Sequence, residues 1–313
     1  MLAVALSLIA AAPAGAAEPK LTVARAKLGA ALHCTEGIDD AARTPVMIVT
    51  GTGASGAEAY GIAKSALDLY GAPVCYVDFP NFTTADVQVS VQYLVHGLRV
   101  MSRRAGRRVA VFGISQGGLL PRIALTYWPS LRAEVSDVIA AAGTQHGTTA
   151  GRADCTKGCV PAAWQQAAGS RFLRALNARR DETPGPTSWT TVRSATDEVV
   201  RPQTGAHPTS ALKGATNVLI QDVCPGREVT HIGTALDSVT WAAAVDAIAN
   251  PGPAKVSRLP ADVCSHPFAP GLDESATRSI LDAAGGLTSG RYDSQPKVRR
   301  EPGLRPWARA GRR

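Results

Sequence analysis

Apolar, β-branched runs recur along this chain of 313 residues, and longer stretches with helical spacing separate them. Short runs bounded by Gly and Pro are typical of strands that are buried on both faces of a sheet. Six runs are predicted to be strands, over residues 46–50, 74–78, 109–112, 136–141, 190–194 and 217–221. Because strands and helices alternate, we expect right-handed crossovers and a mostly parallel sheet.

The stretches between the strands have the spacing and the capping residues of amphipathic helices. Asp86 is placed as the N-cap of one helix, and Gly71 as the C-terminal cap of another. Helices are predicted over residues 57–70, 86–104, 118–127, 163–179 and 234–249. The pattern thus predicts an α/β fold, a mostly parallel central sheet flanked by helices, whose ligands bind beyond the carboxyl ends of the strands.

A G-x-S-x-G motif at residues 113–117 joins the strand 109–112 to the helix that follows it. In this context the serine occupies a tight turn with a strained backbone, and the glycines leave room for neighbouring main chain. Ser115 is therefore predicted to be a nucleophile, with its hydroxyl above the sheet near a helix N-terminus. The alternative is a glycine-rich turn that only caps the helix.

A serine hydroxyl is a poor nucleophile without a base, and in this context the chain order is serine, acid, histidine. Asp197 follows the strand 190–194, where catalytic loops gather; the alternative is a turn or cap aspartate. His231 lies after the strand 217–221 and before a helix, in the place of the last catalytic loop. The other histidines after Ser115 are less well placed, and they are His146, His207 and His266.

A serine that attacks a carbonyl group also needs N–H donors for the oxyanion that develops there. Gln116, next to the nucleophile, supplies one, and Thr52, in the loop after the strand 46–50, fits as the other with its backbone N–H and its hydroxyl. The glycines at 51, 53 and 56 also match a dinucleotide fingerprint. That interpretation would leave the serine motif, the acid and the cysteines unexplained, and no cofactor is expected.

The N-terminus and the cysteines indicate export. Residues 1–17 have the apolar stretch and the Ala-x-Ala site of a signal peptide, with cleavage near Ala16 or Ala17. An even number of cysteines in an exported chain predicts three disulfides. The six are Cys34, Cys75, Cys155, Cys159, Cys224 and Cys264. The spacing of Cys155 and Cys159 also suits zinc, but no second ligand pair accompanies them, so no metal is expected.

Most of the net charge of +8 lies in residues 291–313, which contain eight basic residues and two acidic ones. The rest of the chain is close to neutral, which disfavours a nucleic-acid partner. We predict a domain over residues 18–290, with the basic segment 291–313 packed on it or trailing from it. Attraction of this segment to anionic polymers or lipid is the alternative. No apolar run predicts a transmembrane anchor, and Asn81 begins a glycosylation sequon.

Several motifs together resemble the family of lipase B from Candida antarctica. They are GTG at 51–53, SQGGL at 115–119, WQQ at 164–166, SATDEVV at 194–200 with Pro202, and EPGLRPW at 301–307. The resemblance covers most of the chain and implies a metal-free α/β-hydrolase lipase or esterase. It implies a triad of Ser115, Asp197 and His231, and oxyanion residues Thr52 and Gln116.

The resemblance also implies how the cysteines pair. Cys34 with Cys75 and Cys224 with Cys264 match two of the family's bridges, whereas its third bridge is absent because Arg300 stands at the first position. Cys155 and Cys159 are additional, and the loop between them is a candidate gate.

Other positions depart from the family. Ile114 replaces a Trp at the floor of the alcohol pocket, so this pocket is expected to be wider, and Thr230 precedes His231 in place of an acid. Gly285 and Gly286 are expected to break the helix that lines the entrance.

We therefore expect a secreted serine ester hydrolase that acts on lipids or other esters, such as a triacylglycerol lipase, and that works at a lipid–water interface. Alternatives on the same triad are an extracellular acyltransferase and a polyesterase. A different class is a catalytically silent envelope binding protein that has kept the hydrolase fold.

Overall fold

A computed structural model describes residues 17–150 and 155–309 of the chain. The predicted signal peptide therefore lies outside the described residues except for Ala17. The strands of the sheet are β1 (Leu32–Cys34), β2 (Val46–Val49), β3 (Val74–Val77), β4 (Val109–Ile114), β5 (Val135–Ala141), β6 (Ser188–Arg193) and β7 (Thr216–Leu219). All six predicted strands are present, with no end shifted by more than two residues.

The strands lie in the order β1-β3-β2-β4-β5-β6-β7. Every neighbouring pair is parallel except β1 with β3, which is antiparallel. The expected mostly parallel sheet is thus confirmed. Sequence reasoning did not find β1, because this edge strand has three residues and none of them is fully buried. The parallel arrangement brings the carboxyl ends of β2, β4, β6 and β7 to one edge.

Helices cover the sheet. They are α1 (Arg25–Ala30), α2 (Gly56–Tyr70), α3 (Val87–Ala105), α4 (Gln116–Tyr127), α5 (Pro161–Gln166), α6 (Arg171–Asn177), α7 (Ile220–Val223), α8 (His231–Thr234), α9 (Ser238–Ala249), α10 (Glu274–Ser294) and α11 (Pro306–Arg309). The Asp86 carboxylate caps α3 by accepting from the N–H of Gln88, and Gly71 ends α2 in the left-handed conformation.

Three helices differ from the prediction. The predicted helix 163–179 is interrupted between Gln166 and Arg171, because Gly169 is left-handed and the Ser170 hydroxyl caps a new helix. The predicted helix 234–249 begins at Ser238, with Asp237 as its N-cap. The expected break at Gly285 and Gly286 is wrong: α10 runs without interruption through both glycines. Glycine lowers the stability of a helix by about 1 kcal/mol without ending it.

Apolar clusters lie against the sheet. One contains buried side chains of α3 and α4, including Leu94 and Leu120, and also Trp128, which follows α4. The other contains α2 and α9, where the Trp241 ring stacks on Phe112 with the ring centres 4.3 Å apart. With this packing the sheet is a rigid base for the loops at its carboxyl edge.

Part of the C-terminal segment packs on the body. The Glu301 carboxylate accepts from the N–H groups of Arg171 and Phe172 at 2.9 and 2.8 Å. The Trp307 ring meets the rings of Tyr127 and Trp128 edge-on, with centres 4.7 and 5.1 Å apart. Residues 291–309 are therefore held on the folded body, while residues 310–313 lie outside the described residues.

Disulfides join Cys34 to Cys75, Cys155 to Cys159, and Cys224 to Cys264. The first ties the edge strand β1 to β3, and the last holds the loop before α10 against α7. Cys155 and Cys159, which were considered as metal ligands, are bonded to each other.

Candidate active site

Ser115 lies between β4 and α4 in a backbone conformation that few residues other than glycine adopt, with φ 57° and ψ −120°. Glycine is required two residues before and two residues after Ser115, because a side chain at either position would clash with neighbouring main chain. A Cβ at Gly113 would lie 2.1 Å from the carbonyl oxygen of Gly117, and a Cβ at Gly117 would lie 2.0 Å from that of Val49. The packing therefore holds the serine at the carboxyl end of the sheet, at the N-terminus of α4, as expected of a nucleophile turn.

Asp197 and His231 are joined by a hydrogen bond of 2.9 Å between Oδ2 and Nδ1. Both residues are buried. The other carboxylate oxygen of Asp197 accepts from the N–H groups of Val199 and Val200 at 2.9 and 2.8 Å. The carboxylate is thus fixed by its own loop, and its remaining oxygen orients the imidazole.

The loop of His231 is also tied to the loop of Asp197. The N–H of His231 donates to the Glu198 carboxylate at 2.9 Å, and the Thr230 hydroxyl caps α8 by accepting from Gly233 N–H. His231 follows β7 and Asp197 follows β6, which pair with each other. The structure therefore brings together the predicted acid and base at the edge of the sheet that carries Ser115.

Thr52 and Gln116 are in direct contact, with the Thr52 hydroxyl donating to Gln116 Oε1 at 2.7 Å. Gly51, before Thr52, approaches the nucleophile turn closely, since a Cβ placed there would lie 3.1 Å from the Ser115 Cβ. Gln116 begins α4 directly after Ser115. Both predicted oxyanion residues therefore lie beside the predicted nucleophile.

The remaining downstream histidines lie outside this cluster. His146 Nε2 is 3.1 Å from the carbonyl oxygen of Ala211 and 3.7 Å from the Glu182 carboxylate, and burial lowers its pKa. His207 and His266 are exposed. Ile114 is partly buried and packs against the apolar cluster of α2 and α9.

Gln166 and Gln203 are site residues that reasoning from the sequence did not single out. Gln166 Nε2 reaches Thr52 Oγ1 and Gln116 Oε1, at 3.0 and 2.9 Å. Gln203 Nε2 lies 3.5 Å from Asp197 Oδ2. The WQQ motif at 164–166 was a signal for Gln166, but only as part of a resemblance.

Lipase B of Pseudozyma antarctica is 30% identical to this chain over 309 residues, which cover 95% of the chain and 88% of that protein. The chain belongs to the lipase B family. The expected resemblance is thereby confirmed, and the protein is a carboxylic ester hydrolase. No protein-family model matches the chain.

The crystal structure of Aspergillus fumigatus lipase B superposes with a TM-score of 0.85 at 29% identity, covering 93% of this chain and 73% of that one. A lipase of Bacillus licheniformis in its propeptide form shares the fold, with a TM-score of 0.51 at 18% identity over 65% of this chain and 50% of that one. This lipase B homologue therefore has the α/β-hydrolase fold. Among its described residues no helix is long and apolar enough to cross a membrane.

Proposed function

We propose that this lipase B homologue is an exported lipase or esterase that cleaves carboxylic esters of lipids through Ser115, Asp197 and His231. The hydrogen bond between Asp197 and His231 carries the proposal, together with the strained turn that holds Ser115 at the same sheet edge. Each of the three residues follows a different strand of one mostly parallel sheet. Such a convergence is the arrangement that activates a serine hydroxyl.

In the proposed reaction His231 Nε2 takes the Ser115 proton while Oγ forms a bond to the ester carbonyl carbon. The carbonyl oxygen becomes an oxyanion, which accepts hydrogen bonds from Gln116 N–H and from Thr52. Its collapse breaks the bond to the alcohol oxygen, and that oxygen takes the proton from His231. Water then attacks the acyl-enzyme in the same way, which releases the acid and restores Ser115. Asp197 holds the ring and stabilises its cation.

Exposed apolar side chains support a lipid substrate. Phe82 and Val199 are 39% and 43% exposed. The carbonyl oxygen of Phe82 accepts from Gly53 N–H beside Thr52, and Val199 lies two residues after Asp197. Ile280 is 42% exposed on α10, which contacts α8, the helix of His231. Apolar surface next to the site favours a water–lipid interface.

Export is supported by the disulfides, because disulfides persist in oxidising compartments. The proposed signal peptide covers residues 1–17, which precede the part of the chain that packs on the sheet. The basic composition of residues 291–313 offers a further contact for an anionic surface.

The proposal is tested by measuring hydrolysis of p-nitrophenyl esters from acetate to palmitate, with emulsified triglyceride in parallel. Ser115→Ala is expected to lower kcat by about 10⁶-fold and to abolish labelling by a fluorophosphonate. Ser102→Ala, which changes a serine at the C-terminal end of α3, is the matched control and should retain full activity.

Activity on long-chain esters and on the emulsion would identify a lipase, and activity on short esters alone an esterase. Transfer of the acyl group to an added alcohol in preference to water would identify an acyltransferase. Ester hydrolysis that survives Ser115→Ala would refute the proposed nucleophile. A wild-type protein that resists the fluorophosphonate would be a silent binding protein.

A further inference from the structure

The side chain of Gln166 links the two proposed oxyanion residues, and it does so from a helix that follows a different strand. Its Nε2 lies 3.0 Å from Thr52 Oγ1 and 2.9 Å from Gln116 Oε1. Gln166 is 6% exposed, and it ends α5 more than a hundred residues after Thr52. Its position is therefore fixed by the fold and not by the local chain.

The chemistry of its neighbours determines which way the Gln166 amide points. Nε2 lies 3.2 Å from the carbonyl oxygen of Ala162, a group that only accepts hydrogen bonds. The NH₂ group must therefore face Ala162, Thr52 and Gln116, and its two hydrogens are shared among these three acceptors. The amide oxygen faces the other way and accepts from the Thr144 hydroxyl at 3.0 Å, and Thr144 is 2% exposed. A buried hydroxyl and a carbonyl thus fix the amide from both sides.

This orientation determines where the single hydroxyl hydrogen of Thr52 can lie. Since Nε2 of Gln166 donates to Thr52 Oγ1, it occupies an acceptor position of that oxygen and keeps the hydroxyl hydrogen away from Gln166. The hydroxyl donates to Gln116 Oε1 at 2.7 Å. Before substrate binds, the hydrogen therefore lies on Gln116 Oε1 and not on Gln166.

We propose that Gln166 is a positioning residue for the oxyanion hole, an inference that rests on the proposed function. As the oxyanion forms, the Thr52 hydrogen turns from Gln116 Oε1 to the substrate oxygen. Gln116 Oε1 then keeps one of the two hydrogens of the Gln166 NH₂ as its donor. Gln116 Oε1 therefore does not lose its last donor in the transition state, which lowers the cost of turning the Thr52 hydroxyl. Without Gln166 the Thr52 hydrogen stays on Gln116 Oε1.

The test is a double-mutant cycle of Gln166→Leu and Thr52→Val, read by kcat and KM on one soluble ester. Thr52→Val is expected to lower kcat on the order of 10²-fold, as loss of an oxyanion donor does. Gln166→Leu should lower kcat roughly 10-fold with KM nearly unchanged, since it acts on the transition state through Thr52. In the Thr52→Val background the same change should alter kcat by less than about 2-fold.

Gln165→Leu is the matched control. This neighbouring buried glutamine points away from the site and bonds to Val87 N–H and to the Asp86 carboxylate at the start of α3. It should lower Tm and leave kcat of the folded enzyme unchanged. If Gln166→Leu does not fold, Thr144→Val takes its place, because it removes the donor to the Gln166 oxygen and touches neither oxyanion residue.

Two results would overturn the inference: full kcat in folded Gln166→Leu or Thr144→Val, or effects that multiply with that of Thr52→Val. Ser115→Ala is measured in the same series. Residual activity in Ser115→Ala would refute the proposed nucleophile, whereas an inactive Ser115→Ala beside an additive cycle would refute only the role of Gln166.

Discussion

Asp197 uses its two oxygens differently, one for its own loop and one for His231. Asp197→Asn keeps an oxygen for the Val199 and Val200 N–H groups, but its NH₂ faces His231 Nδ1. The imidazole must then carry its hydrogen on Nε2 and cannot take a proton from Ser115. We expect kcat to fall by about 10⁴-fold with little change in Tm, measured by ester hydrolysis and thermal unfolding.

Asp197→Ala is the comparison, since it also leaves two buried N–H groups without an acceptor. It is expected to lower Tm as well as kcat. If Asp197→Asn kept more than a tenth of the wild-type kcat, the proposed orienting role of Asp197 would be wrong.

Asp137, on β5, predicts a pH dependence of stability. Burial raises the pKa of this carboxyl from 3.8 to about 6, against the lowering effects of Ser136, Arg108 and Ser188. The folded state holds the proton more tightly than the unfolded state. The contribution of Asp137 to the free energy of unfolding is therefore fully present below about pH 4 and is lost as the pH rises through 6. The loss above pH 6 is at most about 3 kcal/mol.

Asp137→Asn should therefore stabilise the protein by roughly 1–3 kcal/mol at pH 7.5 and have little effect at pH 4, as measured by urea unfolding. A gain of equal size at both pH values would show that the ionisation of Asp137 is not its cause.

Whether a site residue can be predicted from the sequence depends on whether its neighbours along the chain form a recognisable pattern. Ser115 is marked by adjacent glycines, and Asp197 and His231 each follow a recognisable strand, so local pattern located the residues that the sheet then brings together. The contact of Gln166 with Thr52 and Gln116 has no local signature, because nothing near residue 166 indicates which loops will face it. Such contacts follow only from the packing of α5.

Arg291 holds the end of α10 on the body. Its guanidinium donates to both oxygens of Glu58 at 2.7 and 2.6 Å and lies 4.7 Å from the centre of the Phe82 ring. Partial burial alone would raise the pKa of Glu58, but hydrogen bonds from Arg291 and Ser55 outweigh it and lower the pKa. The contact therefore links α10 to the first turn of α2.

Arg291→Gln should loosen α10 without unfolding the protein, because a half-exposed ion pair contributes about 1 kcal/mol or less. Amide hydrogen exchange in α10 is expected to rise roughly 2–5-fold, with a Tm shift of only a few degrees. Glu274→Gln, which removes a pair internal to α10, is the control. Equal effects of the two variants would mean that the contact with Glu58 does not hold the helix.

Elements were predicted well where burial dominates and poorly where a tertiary contact sets the boundary. The runs that form β2 to β7 could be identified as strands from their apolar and β-branched residues. The gap between α5 and α6 depends on Gly169 and on the Ser170 cap, which a helical spacing over 163–179 conceals. The helix α10 is continuous despite its two adjacent glycines, and it contacts α8 and bonds to Glu58.

For the whole molecule, each disulfide is expected to contribute to the free energy of unfolding according to the length of the chain segment that it closes. The bond between Cys224 and Cys264 spans 40 residues and that between Cys155 and Cys159 spans 4. Chain entropy gives about 4 kcal/mol for the long loop and about 2 kcal/mol for the short one. Replacing the long pair by alanines should therefore lower the urea midpoint about twice as far as replacing the short pair.

An equal or larger effect of the short pair would show that the loop at residues 155–159 is stabilised by native contacts beyond chain entropy. Its antiparallel bridge with Val298, bonded in both directions at 3.1 and 2.8 Å, is the contact to remove next. We infer from such contacts that residues 18–290 form the hydrolase domain and that the segment beyond is part of its surface.

The helix α3 receives both ends of the described chain. Gln92 Oε1 accepts from Thr22 N–H at 2.6 Å, and Gln88, one turn away, accepts from Arg305 N–H at 2.7 Å. The Arg305 guanidinium also donates to the Thr22 hydroxyl at 3.0 Å.

A ribosome that adds about 5–20 residues per second needs roughly 15–60 s to travel from the first of these partners to the last. During that time the flank of α3 around Gln88 lacks its C-terminal partner, so the packing of this helix is completed only when the end of the chain has been made. The same proximity makes the protein suited to circularisation, because a short peptide could join the chain near Thr22 to the chain near Arg305.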